Sequence, residues 1–319
     1  MVRANILEGI HKKYIMYQLL KALKWIHSAD VLHRDMKPSN LLLNSDCFLK
    51  VADFGLARSI SSLDKNNVAN PVLTDYVASR WYRAPEILLG STKYTKGVDM
   101  WSLGCILGEL LGGKPMFPGT STMNQLDRIM EVTGRPSADD IEAIKSPFAA
   151  TLLESVPRTS PRSLDDMFPH AEKDALDLLR QLLQFNPEKR ITAEESLQHP
   201  FVAQFHNRDA EPVMDRKVNI PIDDDTKFDI DVYRDQLYDD IQRRNQELEQ
   251  SKEKKRRKDS ARKHRSSKSS SSGSIESKKS HSSKHRSSSH SKSSKSKHSS
   301  RRNPSSSRRS SERKSSSKS

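Results

Sequence analysis

Four polar residues in the first sixth of the chain have the types and spacing needed to move a phosphoryl group. Asp35, Lys37 and Asn40 lie in the run HRDMKPSN, and Asp53 follows Asn40 by thirteen positions at the start of Asp-Phe-Gly. Asp35 would accept the proton of a hydroxyl, and Lys37 would contact the transferring phosphate. Asn40 and Asp53 offer the oxygen ligands that Mg²⁺ prefers. The pattern predicts metal-assisted phosphoryl transfer.

Apolar periodicity predicts the elements that position these residues. An apolar stripe at helical spacing, formed by Ile15, Leu19, Ala22 and Ile26, predicts a largely buried helix that leads into the catalytic loop. Two short apolar runs flank Asn44-Ser45-Asp46 and predict a small hairpin; they are Leu41–Leu43 and Leu49–Val51. This hairpin would join Asn40 to Asp53.

Further helices are predicted from the rest of the body of the chain. The nearly continuous apolar run Met100–Leu111 indicates a core helix that ends at Gly112-Gly113. Residues 175–183 form a second helical cluster, and Thr192 with Glu195 has the spacing of a capping box. Residues 127–170 are interrupted by proline, and we expect them to be irregular.

The order of these motifs resembles the C-terminal lobe of a eukaryotic protein kinase. Thr74-Asp75-Tyr76 lies between Asp53-Phe54-Gly55 and Ala84-Pro85-Glu86, as in a mitogen-activated protein (MAP) kinase. The similarity is greatest to the atypical extracellular-signal-regulated seven/eight branch. The resemblance covers about residues 1–245 and implies a mainly α, protein-kinase-like C-lobe with small β-hairpins. The implied domains are the C-lobe at 1–205, an extension with an acidic segment and a helix at 206–250, and a disordered basic tail at 251–319.

The resemblance implies a serine/threonine kinase that uses ATP and Mg²⁺ and phosphorylates Ser or Thr followed by Pro. Asp35 and Lys37 would be the catalytic residues, and Asn40 and Asp53 would hold the metal. Lys37, Asn40 and Asp53 would also contact the nucleotide. Leu42 would lie under the adenine ring, although a role as core filler fits it equally well.

Activation is implied to depend on phosphorylation of Thr74 and Tyr76, with an upstream kinase as a partner. Arg34 would bind phospho-Thr74, whereas Arg80 and Arg83 would receive phospho-Tyr76, because phosphate recruits arginine donors. Three further residues are implied to be structural: Glu86 and Arg190 as a buried ion pair, and Asp99 as a brace for the catalytic loop.

The chain departs from a complete kinase before Asp35. Only Gly9 precedes it, so we find no glycine-rich loop to cover the phosphates, and the N-terminal lobe is missing. Two explanations stay open: the sequence is a fragment of a full kinase, or it is a short non-catalytic docking module. An acidic segment would either recruit basic docking motifs or form a solvated acidic surface; it consists of the aspartates at 223–225 with Asp229, Asp231, Asp235, Asp239 and Asp240.

The net charge of +14 comes from the tail. Residues 251–319 hold 24 basic and 4 acidic residues, or +20, so the remaining chain has 31 basic and 37 acidic residues, or −6. The tail has 31 serines in 69 positions and no aromatic residue, so we expect disorder. It could bind nucleic acid or another polyanion weakly by counterion release, serve in nuclear localisation through Lys254–Lys258, or simply solubilise the chain.

The cysteine content and the hydropathy of the chain indicate in which cellular compartment to expect the protein. The two cysteines, Cys47 and Cys105, do not suggest a disulfide framework, so we expect a reducing compartment. We find no signal peptide and no apolar run long enough to span a bilayer, so we expect no membrane association. The expected location is cytoplasmic, nuclear or both.

Overall fold

The structure, a computed structural model, describes residues 6–60, 77–91, 93–158, 160–218 and 227–269. Its described residues fall into two compact units, which divide between Phe228 and Asp229. We call the first unit, up to Phe228, the lobe. The lobe is mainly helical, as predicted. Its α-helices are α1 Gly9–Ser28, α2 Pro85–Leu88, α3 Gly97–Gly112, α4 Thr122–Thr133, α5 Ala138–Ala143, α6 Ala149–Glu154, α7 Leu164–Met167, α8 Lys173–Leu182 and α9 Ala193–Leu197.

The strands of the lobe are short and antiparallel. β1 (Val31–Leu32) pairs with β4 (Arg58–Ser59), and β2 (Leu41–Leu43) pairs with β3 (Leu49–Val51). Five short 3₁₀ segments complete the described elements of the lobe: Pro38–Asn40, Val77–Tyr82, Pro187–Lys189, Ala203–Phe205 and Arg208–Ala210.

The core lies around α1 and α3. Helix α3 is apolar around most of its circumference, and twelve of its residues are buried, which is the pattern of a helix surrounded by protein. Gly104 allows a close approach, because a Cβ atom there would lie 2.7 Å from Cδ2 of Leu183. The helix ends at the predicted glycines, and Gly113 adopts the left-handed conformation with φ of 71°.

Side-chain hydrogen bonds from α1 fix the β2–β3 hairpin. Gln18 donates from Nε2 to the carbonyl oxygen of Cys47 at 2.7 Å and accepts from the amide of Leu49 at 2.9 Å. Asn44 closes the turn by accepting the amide protons of Asp46 and Phe48. At the open end, the amide of Ala52 donates to the carbonyl oxygen of Asn40 at 2.9 Å. The hairpin thus brings Asp53 next to the loop that holds Asn40.

The prediction that residues 127–170 are irregular was wrong. The segment contains most of α4 and all of α5, α6 and α7. Serine side chains cap three of these helices by accepting an amide proton in the first turn; they are Ser121, Ser137 and Ser163. The prolines occupy the connections between the helices. Helices α5, α6 and α7 have only four to six residues, which is less than two turns and too short for apolar periodicity to indicate a helix.

The second unit contains a 40-residue helix, α10 (Ile230–Ser269). It corrects the predicted boundary at residue 250, because the first nineteen residues of the predicted disordered tail are helical. Glu, Gln, Lys and Arg favour helix, and ion pairs one turn apart add to this; two of them join Lys252 to Glu249 and Arg257 to Glu253. Residues 270–319 and the aspartates at 223–225 lie outside the described residues. Within the described chain, no helix has both the length and the apolar character needed to cross a bilayer.

Candidate active site

The predicted catalytic residues converge on the carboxylate of Asp35. Lys37 donates from Nζ to Oδ2 of Asp35 at 2.6 Å, and Asn40 donates from Nδ2 to the same oxygen at 3.1 Å. Asn40 also donates to the main-chain oxygen of Asp35 at 2.9 Å, because the 3₁₀ turn Pro38–Asn40 folds the chain back on itself. Oδ1 of Asp35 accepts no hydrogen bond from the described residues. The carboxylate is therefore oriented by two donors and keeps one oxygen for a further proton donor.

Asp99, on α3, fixes the main chain on the N-terminal side of Asp35. Its carboxylate accepts the amide protons of His33 at 2.9 Å and Arg34 at 2.8 Å, and it lies 2.9 Å from Nε2 of His27. Burial alone would raise the pKa of Asp99, but the bonds from His27 and from the two amides outweigh it and hold this pKa below its usual value. The buried carboxylate is thus well suited to brace the loop.

His33 connects the two halves of the site, a role that the sequence analysis missed. Its Nε2 lies 3.2 Å from the carbonyl oxygen of Ala52, and its Nδ1 accepts the amide proton of Asp35 at 3.3 Å. A carbonyl oxygen can only accept, so the neutral ring must carry its proton on Nε2. The ring joins Asp35 to the residue that precedes Asp53. Its position in the HRD motif was the one available signal.

Asp53 is exposed and has few contacts among the described residues. Its backbone is left-handed, with φ of 63°, which for a residue other than glycine costs on the order of 1 kcal/mol or more, and strained residues of this kind cluster at functional sites. Its Oδ1 accepts the amide proton of Gly55 at 3.3 Å. Phe54, the next residue, and Leu42, on β2, are also exposed.

The residues present fit a magnesium ion that is held mainly by the phosphates of a substrate. Asn40 uses its amide nitrogen on Asp35, which leaves its amide oxygen for a metal, and Asp53 supplies an exposed carboxylate. Mg²⁺ typically takes one or two carboxylates together with phosphate oxygens and water. Among the described residues, no group of three His, Cys, Asp or Glu side chains forms an all-protein metal site.

Arg34 has hydrogen-bond donors without partners. Its guanidinium lies 4.6 Å from the ring centre of Tyr94, and its Nε and Nη2 atoms are buried with no acceptor among the described residues. Burial lowers the pKa of Arg34, although an arginine stays charged at neutral pH. A cavity of about 30 Å³ is lined by Arg34, Arg83 and Asp35. Two buried donors of a partly buried cation are thus available to an anion.

The structure says less about Arg80 and Arg83, the other predicted phosphate ligands. Arg80 is buried, and its Nη1 lies 3.5 Å from the carbonyl oxygen of Thr120. Thr74 and Tyr76, the predicted phosphorylation sites, lie outside the described residues. The 3₁₀ segment Val77–Tyr82 follows them, and Trp81 donates from Nε1 to the carbonyl oxygen of Gly119 at 2.9 Å.

Glu86 and Arg190 form a buried, bidentate salt bridge. Nη1 and Nη2 of Arg190 each donate to a carboxylate oxygen of Glu86 at 2.6 Å, and both side chains are almost fully inaccessible. Arg190 also donates to the carbonyl oxygen of Gly97 and lies 5.1 Å from the ring centre of Trp101. The pair ties α2, which follows Arg83, to the core of the lobe.

Comparison with known proteins places this site in a family. The family model for the protein kinase domain matches residues 2–202. Extracellular signal-regulated kinase 2 of Dictyostelium discoideum is 73% identical over 246 residues, which are 77% of this chain and 67% of that protein. Mitogen-activated protein kinase 15 of Xenopus laevis is 52% identical over 78% of this chain and 43% of its own length. The protein of the same name from Caenorhabditis elegans is 52% identical over 75% of this chain and 51% of its own length. The chain thus spans about two thirds of one curated relative and about half or less of the other two.

Proposed function

The chain belongs to the protein kinase family and, within it, to the MAP kinases, and from this premise we propose that it transfers the γ-phosphate of ATP to Ser or Thr residues followed by Pro. The observation that carries the proposal is the cluster of Lys37 and Asn40 on the buried carboxylate of Asp35. Donors on one oxygen orient the other toward an incoming hydroxyl, as a catalytic base requires.

We infer separate tasks for the residues of the site. Asp35 accepts the proton of the substrate hydroxyl at Oδ1, the oxygen that the described residues leave free. Lys37 lies beside it, where its charge would stabilise the negative charge of the transferring phosphate. Asn40 and Asp53 would hold Mg²⁺, which neutralises phosphate charge when bound. Leu42 is more than half exposed, which favours a role under the adenine ring over one as core filler.

We also propose that phosphorylation of Thr74 and Tyr76 by an upstream kinase activates the site. A phosphate adds about −1.5 to −2 charges and three acceptor oxygens. The buried Nε and Nη2 atoms of Arg34 would receive phospho-Thr74, and Arg80 and Arg83 would receive phospho-Tyr76. Because Asp99 holds the amide of Arg34, a phosphate bound there would be connected directly to the catalytic loop.

Transfer of labelled phosphate from ATP to a Ser-Pro peptide tests this function on the full chain. We expect Asp35→Asn to lower the rate about 10²–10⁴-fold, the usual contribution of a general base. Asp46→Asn is the matched control, because Asp46 lies exposed in the turn of the hairpin. A Ser-Ala peptide should be a poor substrate. Equal activity of Asp35→Asn and Asp46→Asn would overturn the assignment of the base.

Nucleotide binding is measured separately, as the rise in melting temperature on adding MgATP. We expect a rise in the unmutated chain and in Asp46→Asn, and a much smaller one in Asp53→Asn, because the phosphates are held largely through the metal. If the unmutated chain shows no rise and no transfer, the proposal of catalysis by this chain fails and the docking-module alternative is favoured.

A further inference from the structure

The C-terminal half of α10 presents cations that the helix does not neutralise. The segment Lys252–Lys258, here called the basic segment, contains six basic residues and is exposed throughout. Two of them form ion pairs one turn away: Lys252 with Glu249 and Arg257 with Glu253, both at 2.7 Å. Four form no ion pair among the described residues: Lys254, Lys255, Arg256 and Lys258. These four charges are available to a partner.

The chemistry of the basic segment restricts that partner. From Glu249 to Ser260 there is no aromatic residue and no aliphatic one. Helices that bind within a membrane surface bury an apolar face, and this segment has none. Proteins that bind single-stranded nucleic acid stack bases on aromatic rings, which are also absent. The remaining kind of partner offers phosphate charge and requires neither insertion of an apolar face nor stacking of bases on aromatic rings.

The distribution of the four cations favours a partner that encloses the helix. Residues of an α-helix are about 100° apart around its axis, so Lys254, Lys255 and Arg256 cover about 200° of the circumference. A flat anionic surface can contact one side of such a helix, whereas the two walls of a nucleic-acid groove can contact both. An α-helix about 10–12 Å across fits the major groove of B-form DNA, which is about 12 Å wide.

We propose that the basic segment binds duplex DNA without sequence specificity, as a helix in the major groove with its four unpaired cations on phosphates of both walls. The major groove of A-form duplex RNA is deep and narrow, and it does not admit the side chains of a bound helix. Duplex RNA should therefore bind more weakly than duplex DNA. The proposal concerns α10 alone and is independent of catalysis by the lobe.

Two substitutions at Asp259 test whether DNA binding requires the helix or only the positive charge of the basic segment. Asp259→Ala and Asp259→Pro both remove one negative charge, but only proline breaks the helix, at the residues around Lys255 and Lys258. With the full chain and a mixed-sequence 20-base-pair DNA duplex, we expect Asp259→Pro to bind about tenfold more weakly than Asp259→Ala, since a disordered segment must order on binding. Equal affinities of the two variants would overturn the proposal.

Salt dependence measures the contribution of the four cations. The variant in which Lys254, Lys255, Arg256 and Lys258 are all changed to Gln measures this. The plot of log K against log salt concentration falls with a slope of about −0.9 for each phosphate contact, so losing four contacts should make the slope less steep by about 3.6. The matched control changes four exposed lysines of the lobe to Gln, namely Lys50, Lys114, Lys145 and Lys173, and should leave the slope nearly unchanged. The proposal is overturned if the control reduces the slope as much, if a 20-base-pair RNA duplex binds as tightly as DNA, or if phosphatidylserine vesicles are preferred to DNA.

Discussion

The lobe and helix α10 each contain an arginine–glutamate pair, and the two pairs differ in almost everything except chemistry. In the lobe, Arg190 and Glu86 meet at 2.6 Å with both side chains buried, although 104 positions separate them in the chain. In α10, Arg257 and Glu253 meet at 2.7 Å, one helical turn apart, with both side chains largely exposed. The distances are nearly equal, so burial and sequence separation must decide what each pair contributes.

The largest difference is expected when the arginine of each pair is replaced by Met. Arg190→Met leaves the carboxylate of Glu86 buried without a partner, which typically costs about 3–5 kcal/mol of unfolding free energy. Arg257→Met leaves Glu253 in water, and such exposed pairs contribute about 0.3–0.5 kcal/mol. Urea denaturation monitored by tryptophan fluorescence measures the first, because Trp101 lies against Arg190. The second is measured by circular dichroism at 222 nm.

A double substitution sharpens the interpretation of that result. If Glu86 is also replaced, as in Glu86→Leu with Arg190→Met, the unpaired buried charge is removed and much of the lost stability should return. A loss as large in the double variant as in Arg190→Met would show that the pair stabilises the lobe by shape and packing rather than by compensation of charge.

The next largest effect concerns Asp99, which receives three polar contacts from the loop and from α1. Asp99→Asn replaces one acceptor oxygen by a donor that faces an amide proton, and an unsatisfied buried donor costs about 1–3 kcal/mol. The pKa of Asp99 is lowered in the folded lobe, so the unfolded chain binds its proton first as pH falls. The stability that Asp99 provides is therefore complete above its ordinary pKa of about 3.9 and lost below it.

The urea midpoint of the lobe between pH 7 and pH 3 tests this sign. The unmutated chain should lose more stability over that interval than Asp99→Asn, whereas the exposed Asp46→Asn should follow the unmutated chain. Identical pH profiles for the unmutated chain and Asp99→Asn would mean that other carboxylates account for the acid sensitivity.

A smaller effect is expected at the start of α9. Thr192 accepts the amide proton of Glu195, while the carboxylate of Glu195 accepts the amide proton of Thr192. Thr192→Ala removes one half of this capping box and should lower the unfolding free energy by about 1 kcal/mol. Thr151→Ala, at an exposed position within α6, should not destabilise the lobe, because Ala favours helix. Equal losses in both variants would argue against the cap.

The parts of the lobe with strong local patterns were predictable. Each of these patterns lies within one element and indicates the structure of that element alone. They are the apolar stripe of α1, the continuous apolar run of α3 and the Thr192–Glu195 cap of α9. The motif order also indicated that Asp35, Lys37 and Asn40 lie together, because residues close in sequence within one loop are close in space; their catalytic and metal-binding roles stay predictions.

Long-range and weakly patterned features were not predictable in the same way. The ring of His33 bridges to Ala52, nineteen positions away, and periodicity does not encode such a contact. Three of the four helices in the segment 127–170 begin at a capping serine, which is a single-residue signal. The part of α10 after Leu248 has no apolar face, and it depends on many residues that each favour helix slightly. The composition that predicts disorder at 251–269 is rich in Ser, Lys and Arg, and the last two also favour an exposed helix.

The smallest predicted effect tests whether α10 is stabilised by helix propensity and ion pairs within the helix. Glu253→Gln removes the charge that pairs with Arg257 but keeps a good helix former, so the loss of helix stability should be about 0.3–0.5 kcal/mol. Because the pair is exposed, this loss should nearly disappear in 1 M salt, where charges are screened within about 3 Å. Circular dichroism at 222 nm during thermal unfolding, in low salt and in 1 M salt, measures the difference. A loss of several kcal/mol, or one unaffected by salt, would mean that Glu253 makes a buried contact and that the contrast between the two pairs does not hold.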